Sequence, residues 1–252
     1  MASLPLPDPG VFNRAELARR WALAREAVPD EPRGPRARLF LNEFTWPLQI
    51  ARRTPVEVPK AQRPRTVMML PGFGAHPVRM RWMAQRLEEA GHMVRRWGEG
   101  VNFGATEARL RAVEGRLVAL SAQTGAPLHL VGWSLGGVIA RELAKMHPDK
   151  VAKVITLGSP FSGHPRANNG WRAYQAIAGH RVDEPVIPTD PRVKPPVQTV
   201  AMWSPLDGVV HPRCACGRPG ERDRAVALRC THMGFVLSNE AVLAVLRELD
   251  LD

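Results

Sequence analysis

From Arg65 onward the hydrophobic positions fall into short unbroken runs that alternate with stretches of helical spacing. Thr66–Leu70 (TVMML) is apolar throughout and ends at Pro71-Gly72, which predicts a strand buried on both faces. Val78–Ala90 places Met80, Met83, Ala84 and Leu87 at helical intervals, and Gly91 closes the pattern. His92–Trp97 is a second strand. Thr106–Thr124 carries Leu110, Val113, Leu117 and Leu120 on one face and stops at Gly125 and Pro127, as a long amphipathic helix should. Leu128–Val131 is a third strand, joined by a glycine-rich turn to a helix over Leu135–His147. Strands then follow at Val151–Leu157, Val197–Trp203 and Val226–Arg229, and a closing helix at Asn239–Leu249. Alternating strands and helices predict an α/β architecture: a mostly parallel sheet with helices on both faces.

Two stretches depart from this rhythm. Residues 1–64 contain two helical patterns, Arg14–Ala27 and Arg38–Arg52, separated by the proline-rich VPDEPRGPRAR; they predict a helical extension packed on a domain of residues 65–252. Residues 158–196 are rich in Gly, Pro and Asn, with one short helix around Trp171–Ala178. A loop-rich insertion of that length after a central strand is usually functional, and it is the candidate lid.

Composition changes this picture little. The 252 residues are 44% hydrophobic and 23% charged, as in ordinary globular proteins, and no apolar run approaches the about 20 residues needed to cross a bilayer. The opening MASLPLPDPG lacks a basic stretch followed by an apolar one, so the expected location is cytoplasmic. A net charge of +11 invites a nucleic-acid reading. The excess, however, is arginine scattered along the chain, with lysine only at positions 60, 145, 150, 153 and 194. Nucleic acid is therefore not the expected partner. RLFLNEFTWPLQIA (Arg38–Ala51) has the composition of a segment that caps a cleft or makes a weak peripheral membrane contact, although packing on its own domain is the simpler reading.

The informative chemistry is Gly132-Trp133-Ser134-Leu135-Gly136, a G-x-S-x-G pentapeptide. Alone it is a weak signal. Here a strand pattern (LHLV) precedes it and a helix pattern (VIARELAKM) follows, the setting in which a serine on a sharp turn is exposed as a nucleophile. LPGFGAHP, GWSLGGVIARELA, VITLGSPFSG, SPLDGVV and THMGF, in that order, make residues 65–250 resemble bacterial lipase- and esterase-like α/β-hydrolases. The resemblance implies that fold and a Ser…Asp…His triad, without naming a substrate. Asp207 follows a late strand and His232 precedes the last helix, which are the places the fold assigns to acid and base. Ser134, Asp207 and His232 are accordingly the candidate catalytic residues. The backbone N–H groups of Phe73 and Leu135 are the candidate oxyanion hole. Trp133, Met233 and Phe235 are the candidate substrate-binding residues.

These assignments predict carboxylic-ester hydrolysis through an acyl-enzyme on small or lipid-like hydrophobic esters, with no cofactor. Two alternatives stay open at this stage: transfer of the acyl group to an alcohol other than water, and a binding module whose triad is unproductive. Cys214, Cys216, Cys230 and His232 form C-x-C…C-x-H, a set of ligand types suited to zinc, but the C-x-C spacing is tight and no metal is expected. A disulfide from Cys214 or Cys216 to Cys230 competes with the default of reduced thiols.

Overall fold

The computed structural model describes residues 13–28, 32–51, 54, 56–184 and 190–251. Arg52, the predicted end of the second N-terminal helix, and residues 185–189 of the candidate lid lie outside them, as does the opening decapeptide. Among the described residues six strands form one parallel sheet: β1 (Thr66–Leu70), β2 (Met93–Arg96), β3 (Leu128–Trp133), β4 (Val151–Leu157), β5 (Gln198–Trp203) and β6 (Arg224–Ala227). Their spatial order is β2-β1-β3-β4-β5-β6. The chain runs outward from β1 to β2, returns to the other side of β1 as β3, and then proceeds outward to β6.

The central strands are apolar at nearly every position because both faces are covered. One face of the sheet presents Val67, Met69, Val131, Ile155 and Val200 to α4 (Arg81–Ala90) and α9 (Asn239–Asp250), whose Met83, Leu87, Val242, Val245 and Leu249 are fully buried. The other presents Met68, Leu70, Leu130 and Val154 to α5 (Glu107–Thr124) and α6 (Leu135–Met146) through Val113, Leu117, Ile139 and Leu143. Successive side chains of a strand point to opposite faces, so one apolar run serves two cores. Burying each such side chain contributes about 1.5–3 kcal/mol.

Three differences from the sequence expectation have simple causes. The final strand begins at Arg224 rather than Val226, pairing Val200 with Arg224 and Trp203 with Ala227. It is an edge strand, where arginine can face solvent, so hydrophobicity does not mark its start. The predicted helix Arg38–Arg52 is two helices, α2 (Ala37–Glu43) and α3 (Trp46–Ala51). Pro47 sits in the first turn of α3, where its missing N–H costs nothing; inside one continuous helix its ring would meet the Glu43 carbonyl. A five-residue helix not anticipated from sequence, α8 (Pro212–Cys216), follows the Asp207 loop.

The N-terminal region is tied to the rest of the chain by polar contacts. α1 (Arg14–Ala24) lies along α7 (Trp171–Ala178) of the candidate lid. Arg19 donates to the Gly179 carbonyl (2.9 Å) and Arg20 to that of Ile177 (2.5 Å), while Arg172 donates to the carbonyls of Ala24 and Glu26 (both 3.0 Å). Each helix thus supplies guanidinium donors to the otherwise unsatisfied C-terminal carbonyls of the other. Among the described residues, no helix is long and apolar enough to cross a membrane. The Arg38–Ala51 stretch divides its surface: Glu43 is buried and Trp46 packs against the core, whereas Leu41 and Phe44 are each 67% exposed.

Candidate active site

Parallel strands all end on the same edge of the sheet, so loops distant in sequence converge there. Ligand sites in open α/β sheets form outside these carboxyl ends, where the strand order switches direction. The switch here lies between β1 and β3. Phe73 follows β1, Ser134 follows β3, Asp207 follows β5 and His232 follows β6.

Ser134 stands between β3 and α6 with φ 53° and ψ −123°, and among the described residues it is the one non-glycine residue with positive φ. Holding an L-residue there costs about 1–3 kcal/mol, sustained because strand and helix fix both flanks. The flanking glycines allow the crossing: a side chain at Gly136 would collide with the Leu70 carbonyl. Leu135 opens α6, so its N–H belongs to the first helical turn, which has no carbonyl within the helix to receive it. Across from it, the β1 loop comes close enough that a Cβ at Gly72 would lie 3.1 Å from the Ser134 Cβ, and Phe73 is the next residue.

That loop is locked by a residue the sequence reading did not single out. Asn102, fully buried, donates through Nδ2 to the Pro71 carbonyl (2.8 Å), and its backbone carbonyl accepts from Gly74 N–H (2.7 Å). Nothing in the local pattern VNFG marks it, because its role depends on a partner 31 positions away.

Asp207 is fully buried and all its hydrogen bonds are directed. Oδ1 accepts from the backbone N–H groups of Val209 and Val210 (both 2.8 Å), and Oδ2 lies 2.9 Å from His232 Nδ1. His232 is 4% exposed. Burial is the strongest influence on its imidazole and opposes protonation, but the Asp207 charge and hydrogen bond, with the Glu43 charge, outweigh it and raise the pKa above the ordinary histidine value. With Nδ1 committed to Asp207, Nε2 is the nitrogen left to serve another group. Ser204, three residues before Asp207, links the Asp207 loop to the His232 loop by donating to the Cys230 carbonyl (2.6 Å).

Ser134 and His232 are both walls of one cavity of about 230 Å³. Among the described residues no hydrogen bond joins the serine hydroxyl to the imidazole; the cavity is what brings them together. Its lining is largely apolar and includes Phe73, Trp133, Leu135 and Met233, with Trp171, Tyr174 and Val182 from the candidate lid. Tyr174 stacks at a tilt on Phe73 (5.0 Å) and bonds through its hydroxyl to His180 (2.9 Å), and burial pushes that phenol up to about 12.

The candidate substrate-binding residues therefore divide. Met233 and Trp133 line the cavity, but the Trp133 indole N–H is also spent on the His232 carbonyl (3.1 Å). Phe235 is fully buried in the core and does not line this cavity, meeting the His232 ring edge-on at 6.2 Å. On the short 3₁₀ turn Met233–Val236, Phe235 is wholly inside the core, whereas Met233 packs on that core and also reaches the cavity. Cys214, Cys216 and Cys230 are free thiols, and burial raises the pKa of Cys214 and Cys230. Among the described residues no three histidine, cysteine or acidic side chains cluster as a metal site.

The site also draws on the N-terminal region. Glu43, the last residue of α2 and 5% exposed, accepts through Oε1 from Gly208 N–H and His232 N–H (both 2.7 Å) and through Oε2 from Met233 N–H (3.0 Å).

Comparison with known proteins agrees with this topology. Residues 67–189 match the family model described as the alpha/beta hydrolase fold. The match spans just under half of the chain and, with the sheet order, gives it the α/β-hydrolase fold. Among solved structures it superimposes on a Paleococcus ferrophilus monoacylglycerol lipase with a TM-score of 0.52, at 16% identity, covering 74% of this chain and 95% of the other. An alpha/beta hydrolase enzyme from a lagoon-sediment metagenome gives 0.53 at 20% identity, covering 75% and 91%. At such identities the likeness is one of fold. Short stretches align with curated proteins named pimeloyl-acyl-carrier protein methyl ester esterase. Identity is 39% over 56 residues with that of Aromatoleum aromaticum and 43% over 47 residues with that of Neisseria meningitidis. These cover 22% and 19% of this chain, and only 22% and 18% of the relatives' own lengths.

Proposed function

We propose that this α/β-hydrolase is a serine carboxylic-ester hydrolase acting through an acyl-enzyme, with Ser134 as nucleophile, His232 as base and Asp207 as its orienting acid. The observation that carries the reading is the buried 2.9 Å bond between His232 Nδ1 and Asp207, at a cavity whose wall also holds a strained serine. A serine hydroxyl is a poor nucleophile until a base takes its proton. The Ser134 oxygen attacks the ester carbonyl as its proton passes to His232 Nε2, giving a tetrahedral oxyanion that receives N–H bonds from Phe73 and Leu135. Collapse of that intermediate breaks the bond to the alcohol oxygen, which leaves with the proton from His232. Water then repeats the sequence and frees the acid. Asp207 keeps Nδ1 protonated throughout and stabilises the imidazolium.

The apolar lining supports hydrophobic esters as the substrate class, with Trp133 and Met233 against the substrate, and the esterase names of the partly aligned relatives support the ester bond itself. The test is labelling with a fluorophosphonate alongside hydrolysis of p-nitrophenyl esters of graded acyl length. Wild-type protein labels and turns over, and Ser134→Ala does neither. A folded wild-type protein that never labels, or a Ser134→Ala variant that still does, rejects the assignment.

A further inference from the structure

α2 lies directly on the turn that carries Asp207: a Cβ at Gly208 would come within 2.5 Å of the Leu39 carbonyl carbon and 2.7 Å of the Phe40 nitrogen. From the end of that helix Glu43 reaches into both loops at once, with 165 residues separating it from Gly208 and 189 from His232. On general grounds this is a poor place for a carboxylate. It is buried, which costs several kcal/mol for an uncompensated charge, and it stands at a helix C-terminus, where the dipole disfavours negative charge. Three short backbone N–H bonds compensate it, and all three donors belong to residues adjoining or forming the proposed acid–base pair.

We propose that Glu43 is a positioning residue of the triad, a carboxylate from the N-terminal region that fixes the acid loop and the base loop relative to each other. The inference rests on the triad reading above. Its first consequence is geometric: without the clamp, the imidazole still binds Asp207 but its loop is free to drift relative to Ser134. Misplacement of a reacting group by about 1 Å can cost a hundredfold in rate. Its second consequence is electrostatic. The charged groups acting on His232 are Asp207 from the β5 loop and Glu43 from α2; Cys230 on the base loop is buried close to both, and burial holds it as the neutral thiol. Glu43 therefore contributes to keeping the imidazolium stable, and removing its charge lowers the histidine pKa.

The experiment compares full-length wild type, Glu43→Gln and Glu43→Asp by melting temperature and by kcat, KM and the pH dependence of kcat/KM. Gln retains the Oε1 bonds to Gly208 and His232, loses the charge, and turns an amide donor toward Met233 N–H. The expected result is a folded variant with unchanged KM, kcat lower by about tenfold or more, and an acid limb moved to lower pH. Asp keeps the charge one methylene short of both loops, so kcat falls while the acid limb stays nearer that of wild type.

A folded Glu43→Gln with wild-type kcat and acid limb overturns the proposal, as does one changed only in melting temperature. If Glu43→Gln does not fold, Glu43→Asp decides: reduced kcat at unchanged KM supports positioning, and full activity refutes it. Unfolding of both assigns Glu43 a purely structural role and also refutes it. Failure of wild type to label at Ser134 would instead reject the triad itself, a distinguishable outcome.

Discussion

Replacing Asp207 by Asn isolates one charge and one proton. The two Asp207 oxygens have different tasks: Oδ1 accepts two backbone N–H bonds at 2.8 Å, and Oδ2 faces His232 Nδ1 at 2.9 Å. An asparagine has one acceptor and one donor arm. Turning its NH₂ toward Val209 and Val210 would leave both N–H groups without acceptors, at about 1–3 kcal/mol for the buried Val210 group alone. The carbonyl therefore stays with the backbone, and the NH₂ points at Nδ1. The imidazole must then accept at Nδ1 and carry its proton on Nε2, the nitrogen that should take the serine proton. A wrong tautomer of this kind lowers kcat by about 10⁴ in serine proteases, equivalent to about 5.4 kcal/mol of transition-state stabilisation. Because the amide reproduces the backbone bonds, the melting temperature should change little by comparison. Hydrolysis of a p-nitrophenyl ester, with thermal unfolding measured in parallel, tests both halves. A folded Asp207→Asn retaining more than a tenth of wild-type kcat would show that Asp207 does not set the tautomer.

The remaining predictions concern the base and the strained turn. The raised pKa of His232 places the acid limb of kcat/KM above the ordinary value of 6.5, since the imidazole must lose its proton to act as base; a limb at or below 6.5 contradicts the burial-and-charge account. The same shift acts oppositely on stability: the contribution is fully present below the unfolded-state value and is lost as pH rises through the folded-state one, so the melting temperature should carry a declining component over that window. Ser134→Gly should melt at a higher temperature than Ser134→Ala, because glycine relieves the positive φ while alanine keeps it. Against the about 0.5–1 kcal/mol entropic cost of glycine, relief of 1–3 kcal/mol leaves a net gain of order 1 kcal/mol, or about 2–4 °C. Equal melting temperatures would mean the turn stores little strain.

What could be read directly from the chain was whatever local chemistry enforces. The two-faced apolar runs of β1, β3 and β4 specify buried parallel strands, and the helical spacing of Met83 and Leu87, or of Val242, Val245 and Leu249, specifies the faces that cover them. The glycines around Ser134 specify a sharp turn at a strand end, and strand-end placement carried the choice of Asp207 and His232. Harder to read were features whose partners are remote. Phe235 and Met233 sit two residues apart with similar composition, yet a single 3₁₀ turn sends one into the core and the other to the cavity. The true start of β6 is hidden because an edge strand needs no apolar signature. Asn102 and Glu43 look like ordinary loop and helix residues, and only folding supplies the backbone groups they hold, 31 and up to 190 positions away. Periodicity and turn chemistry act over a few residues and so survive in the one-dimensional record; the pairing of a buried polar atom with a distant backbone N–H is decided by where the sheet delivers its loops, and exists only in the folded chain.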